Sequence, residues 1–224
     1  MIKFQSVSKI YLNTITALDN VSFEIDKGEF VCVVGKSGAG KTTLLKLLLA
    51  MEWPTMGHIF FKESDISKLE DISKLRREVG IIFQDYSLFP FKNVYENISY
   101  VMELMGKTNK QIAVEVPQIL EIVGLEDRAN SLPAQLSGGE KQRTAIARAI
   151  AHRPQIILAD EPIGNLDPYN AQDIIKLLKR INQMGTTVIL ATHNKEVIDD
   201  IEERVISLDH GKIIMDEKNG RFII

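Results

Sequence analysis

Of the 224 residues only one is a cysteine, Cys32. A lone thiol closes no intrachain disulfide, so disulfide-stapled scaffolds are excluded, and such usage fits a reducing compartment. Cys32 lies in the apolar run of residues 30–34 and reads as a buried core thiol. Long hydrophobic runs are lacking too. The richest, residues 44–51, is broken by Lys46 and is far shorter than the ~20 apolar residues of a spanning helix. The opening Met1-Ile2-Lys3-Phe4 has no leader-like apolar stretch, so no signal peptide is expected. Neither sign of charge dominates: 27 Lys and Arg face 30 Asp and Glu, a net charge of −3. That gives no bulk attraction to nucleic acid or to an anionic membrane, and no nucleic-acid partner is expected. Repeats, low-complexity tracts and Pro/Gly/Ser linkers are also missing. What is present, 45% hydrophobic and 25% charged residues, is the composition of an ordinary globular chain. The length suits one large domain, or one domain carrying an insertion.

Alternation at Ile2 and Phe4, then at Val21, Phe23 and Ile25, reads as strand. Residues 30–34 are continuously apolar, as in a strand buried on both faces of a parallel sheet. A Gly-rich loop follows, then a helical run over 41–51. Residues 59–61 and 79–83 read as further strands. Residues 92–135 turn helical, with apolar positions at Val94, Ile98, Val101 and Leu104, then Ile112, Val116, Ile119 and Ile122. Gly106, Gly124 and Pro133 act as stops there. A helix over about 138–151, a buried strand over 156–159, an amphipathic helix over 168–183 and a strand over 187–191 complete the alternation. Asp209-His210-Gly211 signals a hairpin between 205–208 and 212–215. Strands and helices in alternation predict an α/β fold with a mostly parallel sheet, interrupted near 90–150 by a helical insertion.

Three motifs carry chemistry. Gly35-Lys36-Ser37-Gly38-Ala39-Gly40-Lys41-Thr42 fulfils G-x-x-x-x-G-K-[ST], with a strand before it and a helix after. Glycines let backbone N–H groups turn inward around phosphate oxygens, beside the positive end of the following helix. Lys41 supplies charge for the β- and γ-phosphates, and the Thr42 hydroxyl is a Mg²⁺ ligand type. Alone, this motif says that the chain binds a nucleoside triphosphate. The second motif is the apolar strand 156–159 running into Asp160 and Glu161. Buried unpaired charge is costly, so two carboxylates there suggest a metal-binding Asp160 and a general base in Glu161. The third is Leu136-Ser137-Gly138-Gly139-Glu140-Lys141-Gln142-Arg143. Ser137 and Glu140 form a capping box, which explains a helix start. Two consecutive glycines are costly in a helix, but they leave N–H groups open to an anion. The same chain thus carries a second phosphate-facing helix start.

Residues 136–143 resemble the signature sequence of the ATP-binding-cassette (ABC) ATPases, and the resemblance spans essentially the whole chain. Residues 35–43 match the Walker A loop, ending in Thr43. Gln84 matches the Q-loop glutamine, and residues 156–161 match Walker B with the catalytic glutamate. Gly164-Asn165-Leu166-Asp167 matches the D-loop, His193 the switch histidine, and Tyr11 the aromatic that stacks on adenine. Singly, Gln84 reads as a polar strand end, His193 as a surface or capping histidine, and Tyr11 as packing against the small β-layer. The ordered set carries the likeness. It implies one P-loop NTPase domain over 1–224: a RecA-like core with an N-terminal antiparallel β-subdomain (1–91 and 156–224) and an inserted α-helical subdomain at about 92–155. It further implies an ATP-dependent head-to-tail homodimer sandwiching ATP and Mg²⁺. Gly35, Lys36, Ser37, Gly38, Ala39, Gly40, Lys41, Thr42, Thr43 and Tyr11 would hold the nucleotide. Thr42, Gln84 and Asp160 would hold the metal, and Glu161, His193, Lys41 and Gln84 would act in hydrolysis. Ser137, Gly138, Gly139 and Asp167 would meet the nucleotide or the interface from the other protomer.

Within the family the nearest likeness is to the ATPases of bacterial cell division. The segments that carry it include Arg76-Arg77-Glu78-Val79-Gly80, Val94-Tyr95-Glu96-Asn97-Ile98 and the tail of residues 213–222. The lipoprotein-release and macrolide-efflux ATPases share much of that pattern. Such a subunit would sit on the cytoplasmic face of the plasma membrane. An integral membrane partner would dock near residues 86–91, which include Tyr86, Leu88, Phe89 and Phe91. A solute-transporter subunit is the competing reading. A soluble module for DNA or ribosomes would carry coiled-coil arms or paired cassettes. A GTPase is disfavoured because Asn194-Lys195-Glu196-Val197 lacks the Asp of N-K-x-D. Lys36, Trp53-Pro54-Thr55, Ile163 and Asn194 depart from the usual pattern without removing a catalytic group.

Overall fold

The computed structural model describes residues 1–12, 14–194 and 201–218, and among these it has two sheets and six α-helices of more than one turn. The smaller sheet is antiparallel, in the order β2 (Ile15–Ile25), β1 (Ile2–Tyr11), β4 (Met56–Phe61) and β5 (Ser64–Asp65). Its alternation aims one side inward: Phe4 pairs with Phe23 and Ile59 across the ladders, and the two phenyl rings stack at 4.6 Å. The larger sheet has six strands. They run in the order β10 (Lys212–Glu217), β9 (Arg204–Asp209), β3 (Phe30–Val34), β8 (Thr187–Thr192), β7 (Ile156–Asp160) and β6 (Val79–Ile82). All neighbours are parallel except β10, which returns antiparallel on β9. The return is a tight turn with positive φ at both His210 and Gly211, as hairpin geometry requires.

The period of two splits β3 between two cores. Phe30, Cys32 and Val34 face the core built by α3 (Val94–Leu104), α4 (Asn109–Val123), α5 (Gly138–Ile150) and α6 (Pro168–Gln183). Val31 and Val33 face α1 (Lys41–Leu48) and the antiparallel sheet. Cys32 is fully buried as expected, and burial pushes its thiol pKa far up. Gln84, Glu161 and His193 follow β6, β7 and β8, and the Gly-rich loop follows β3. The parallel sheet therefore delivers four chemistry-bearing segments to one edge, where ligands of open α/β sheets bind.

The structure corrects some boundaries. The first helix ends at Leu48, not at 51, because Ala50 takes the left-handed conformation and the Met51 N–H reaches back to the Lys46 carbonyl. The strand read to residue 83 ends at Ile82, and Phe83 leaves it half-exposed. Leu104 lies outside the core at 63% exposure, while Met102 fills the inward position. Pro133 ends no helix; it opens a 3₁₀ turn over 133–135. A short helix, α2 (Ile72–Arg77), was not expected. It buries only Leu75 and starts from an Asp71 cap, so it shows almost no apolar period. Residues 195–197 and 219–222, cited above for the guanine motif and the tail, lie outside the described residues.

Candidate active site at the sheet edge

The Gly-rich loop is shaped by close approach. A Cβ on Gly35 would lie 2.5 Å from the Leu208 carbonyl oxygen, and one on Gly40 would lie 2.5 Å from that of Ala17. Gly40 also has a φ of 110°, a conformation costly for any other residue. It is the N-cap of α1 and has no side chain to cap with, and the first turn carries no acid. The orphan N–H groups and the positive helix end thus face outward, ready for an anion. Lys41 is 6% exposed and its ammonium donates to the carbonyls of Gly35 at 2.7 Å and Lys36 at 3.3 Å.

Glu161 stands just beyond the tip of β7 with a φ of 47°. Its N–H continues the ladder to the Ala191 carbonyl at 2.8 Å, so β8 fixes the strained residue. The carboxylate is held on three sides. Lys41 Nζ lies 3.4 Å from Oε1, His193 Nδ1 lies 2.7 Å from the same oxygen, and the His193 N–H donates to Oε2 at 3.3 Å. With Nδ1–H turned to Glu161, the His193 side chain is 60% exposed. Ser37, Gly38, Gly40, Lys41, Thr42, Thr43, Gln84, Glu161 and His193 line one cavity of about 330 Å³.

Asp160 Oδ1 is buried without a hydrogen-bond partner. Burial raises the carboxyl's pKa above its ordinary value, and the neighbouring Thr42 hydroxyl pulls the other way. An orphaned buried carboxylate oxygen beside a hydroxyl is a hard-oxygen donor pair that fits Mg²⁺. Among the described residues no group of three or more His, Cys, Asp or Glu could hold a metal ion by itself. Gln84 lies between the cavity and the D-loop. Its carbonyl accepts from Asn165 Nδ2 at 3.3 Å, and its amide nitrogen is 3.3 Å from where a Gly164 Cβ would stand.

Other singled-out residues are not brought into this cavity. Ser137 and Glu140 cap α5 reciprocally, with Ser137 N–H on Glu140 Oε2 at 2.8 Å and Glu140 N–H on Ser137 Oγ at 3.2 Å. Gly139 lets α6 come close, since its Cβ would lie 2.2 Å from Asn170 Oδ1. Asp167 caps α6 through the N–H groups of Tyr169 and Asn170, both at 3.1 Å. Tyr11 stands outside the cavity lining, with Thr43 and Glu52 at its hydroxyl.

The loop after Gln84 is pinned by two residues that sequence reading missed. Asn97 is fully buried; its Oδ1 accepts from Phe89 N–H at 2.9 Å and its Nδ2 donates to the Lys92 and Asn93 carbonyls. Arg148 on α5 donates to the carbonyls of Tyr86 and Ser87, both in the left-handed region, and lies over the Phe89 ring. Arg148 carries no local signal, because its partners lie 61 and 62 residues away; Asn97, whose partners lie four to eight residues away, shows in the sequence only as a polar residue within an apolar helical pattern. Phe89 packs edge-on against Tyr100, and Phe91 is 92% exposed.

Comparison with known proteins agrees with this geometry. The model of the ABC transporter family matches residues 18–164. The chain belongs to the ABC transporter family. The cell division ATP-binding protein FtsE of Mycobacterium tuberculosis is 47% identical over 223 residues, 98% of this chain and 97% of the relative. The protein of the same name from Bacillus subtilis is 43% identical over 224 residues, 99% and 98% of the two chains. Among solved structures, the ATP-binding cassette MJ0796, a dimer in a post-hydrolysis state bound to ADP and Pi, is 36% identical. It superposes with a TM-score of 0.86, covering 99% of this chain and all of that one. As an ABC ATPase the chain has the family's two-sheet cassette fold, and its bare α1 terminus, Lys41, Glu161 and His193 meet at one edge of the parallel sheet.

Proposed function

We propose that this chain is the ATP-hydrolysing subunit of a membrane-associated cell-division complex; the relatives matching 98–99% of it are named cell division ATP-binding protein FtsE. The observation that carries the ATPase reading is the convergence of Lys41 and His193 on Glu161 beside an uncapped helix start. Residues 1–224 act as one domain, with 1–91 and 156–224 as the nucleotide-binding core and about 92–155 as the helical insertion.

In this reading the loop 35–43 wraps the phosphates with its N–H groups, and Lys41 turns from the Gly35 carbonyl toward the β- and γ-phosphates. Phosphate thereby draws Lys41 from Glu161 and frees the carboxylate to take a proton from the attacking water. His193, oriented by its Nδ1 contact, faces the γ-phosphate and offsets its growing charge. Gln84 joins the nucleotide side to the Asn165 turn. Mg²⁺, held by Thr42, Asp160 and Gln84, would neutralise phosphate charge when bound. Two chains pair head to tail, so that Ser137, Gly138 and Gly139 of one close over the nucleotide of the other, with Asp167 at the seam.

The pinned loop and the exposed Phe91 support a docking edge for an integral membrane partner of the FtsX kind, which would hold the chain at the cytoplasmic face of the plasma membrane. The test uses tagged Glu161→Gln protein with ATP. Loss of the general base should cut phosphate release about 10²–10⁴-fold while ATP stays bound and the dimer is trapped. From detergent-solubilised membranes, the trapped protein should recover a four-span partner together with division proteins. A multi-span permease with a solute-binding protein would assign the chain to transport instead. Parental ATPase rates in Glu161→Gln would remove Glu161 as the base.

A further inference from the structure

Tyr11 ends β1 at the rim of the antiparallel sheet, next to Thr43 of the Gly-rich loop. Its hydroxyl donates to Glu52 Oε2, in the segment that follows α1. Glu52 is itself clamped: Lys9 Nζ lies 3.3 Å from Oε2 and Lys46 Nζ lies 3.6 Å from Oε1. The Tyr11 hydrogen bond, with help from both lysines, holds the Glu52 carboxyl below its ordinary pKa, so it stays an acceptor. Lys9 does a second thing. Its ammonium sits 4.9 Å from the Tyr11 ring centroid and donates to the Trp53 carbonyl at 2.9 Å, which closes one face of the ring. The side chains of Lys9 and Glu52 are only 16% and 22% exposed, so the clamp is a built feature and not a solvated surface pair. On the same face of the ladder, opposite Tyr11, stands Ile15 at 60% exposure. Tyr11 and Ile15 together present an apolar step beside the phosphate loop.

We infer that Glu52 is a positioning residue for base recognition: with Lys9 it locks the Tyr11 ring so that a single face is offered to the purine of the nucleotide. The inference rests on the ATP-binding reading above and adds what fixes the base. An untethered tyrosine would pay rotamer entropy each time a base stacked on it. The Glu52 bond removes that cost in advance, and the Lys9 ammonium blocks stacking on the wrong side. Base stacking on an aromatic side chain is worth about 5–150-fold in affinity, enough to separate ATP from a bare triphosphate.

The experiment is calorimetric titration of the full chain with ATP and, separately, with inorganic tripolyphosphate, which engages the phosphate loop and has no base. Glu52→Ala and Tyr11→Phe should each weaken ATP about tenfold, which is about 1.4 kcal/mol, and leave tripolyphosphate within about twofold. The double variant should be no worse than either single one, because both break the same bond. Glu52→Gln, which keeps an acceptor, should recover most of the ATP affinity. Equal weakening of ATP and tripolyphosphate in Glu52→Ala, or additive losses in the double variant, would overturn the positioning role and leave the ATPase reading standing. Wild-type protein that binds ATP no tighter than tripolyphosphate would overturn it too. Wild-type protein that binds neither would remove the ATPase reading and this inference with it.

Discussion

Two helices of this molecule begin in glycine, and they begin differently. The start of α1 is bare, with Gly40 as N-cap, no side-chain cap and no acid in its first turn. The start of α5 is closed upon itself, with Ser137 and Glu140 exchanging hydrogen bonds and Arg128 Nε held at 2.8 Å from Glu140. An uncapped start leaves orphan N–H groups for a ligand of its own chain. A capped start is stable without one. Stability and readiness for an anion are thus divided: in the function proposed above, α1 would keep a phosphate site of its own chain, and the capped start of α5 would meet a nucleotide held by a second chain.

The largest expected effect breaks the bare end. Gly40→Ala would force a Cβ into the Ala17 carbonyl at a φ of 110°, and ATP affinity should fall at least about 100-fold, near 2.7 kcal/mol. Titration calorimetry reads the loss, and near-parental affinity would mean that the loop does not depend on this approach. Next comes Arg148→Ala, which removes two charge-assisted hydrogen bonds to the Tyr86 and Ser87 carbonyls and should lower stability by about 1–3 kcal/mol. Urea unfolding measures it. An unchanged midpoint would show that Asn97 alone holds the loop.

The capped end is the milder target. Ser137→Ala should lower the unfolding free energy by about 1 kcal/mol and leave nucleotide binding by the single chain unaltered. The ATP-trapped Glu161→Gln dimer should disappear in the same background, a result read by size-exclusion chromatography. Persistence of that dimer would collapse the division of labour between the two helix starts. The smallest effect is pH-dependent. The Ser137 N–H and hydroxyl, and then Arg128, depress the Glu140 carboxyl to about 2 from 4.5. A depressed acid contributes stability above its unfolded pKa and loses it as pH falls through the folded one. The stability gap between wild type and Glu140→Gln should therefore be full above pH 4.5 and shrink toward pH 2. A gap that stays constant across that window would show that the carboxylate charge does not matter to the cap.

Much of this was readable in the residues because local rules govern it. Strand β3 and helix α6 occupy the predicted residues, the first from an unbroken apolar run and the second between a Pro start and a Gly stop. The loop glycines carry their geometry in their identity. Reading failed where long-range contacts set the outcome. Nothing near residue 50 announces that α1 stops at Leu48, since the apolar run continues past it. Short α2 has too few buried positions to show a period. At the site, Arg148 and Glu52 act on partners that only the fold brings near, such as Ser87 beside Arg148, 61 residues away, and Tyr11 beside Glu52, 41 residues away. A polar residue buried on a helix is legible as unusual, and its purpose emerges only in three dimensions.

The burial of Cys32 has a practical side. With no exposed surface and a thiol held protonated by its surroundings, it should be invisible to maleimides and disulfide reagents in the folded state. The natural chain is therefore already a silent background for single-cysteine labelling. A reporter placed on α1 and another on α5 could follow the distance between the two helix starts as nucleotide arrives, with no native residue removed.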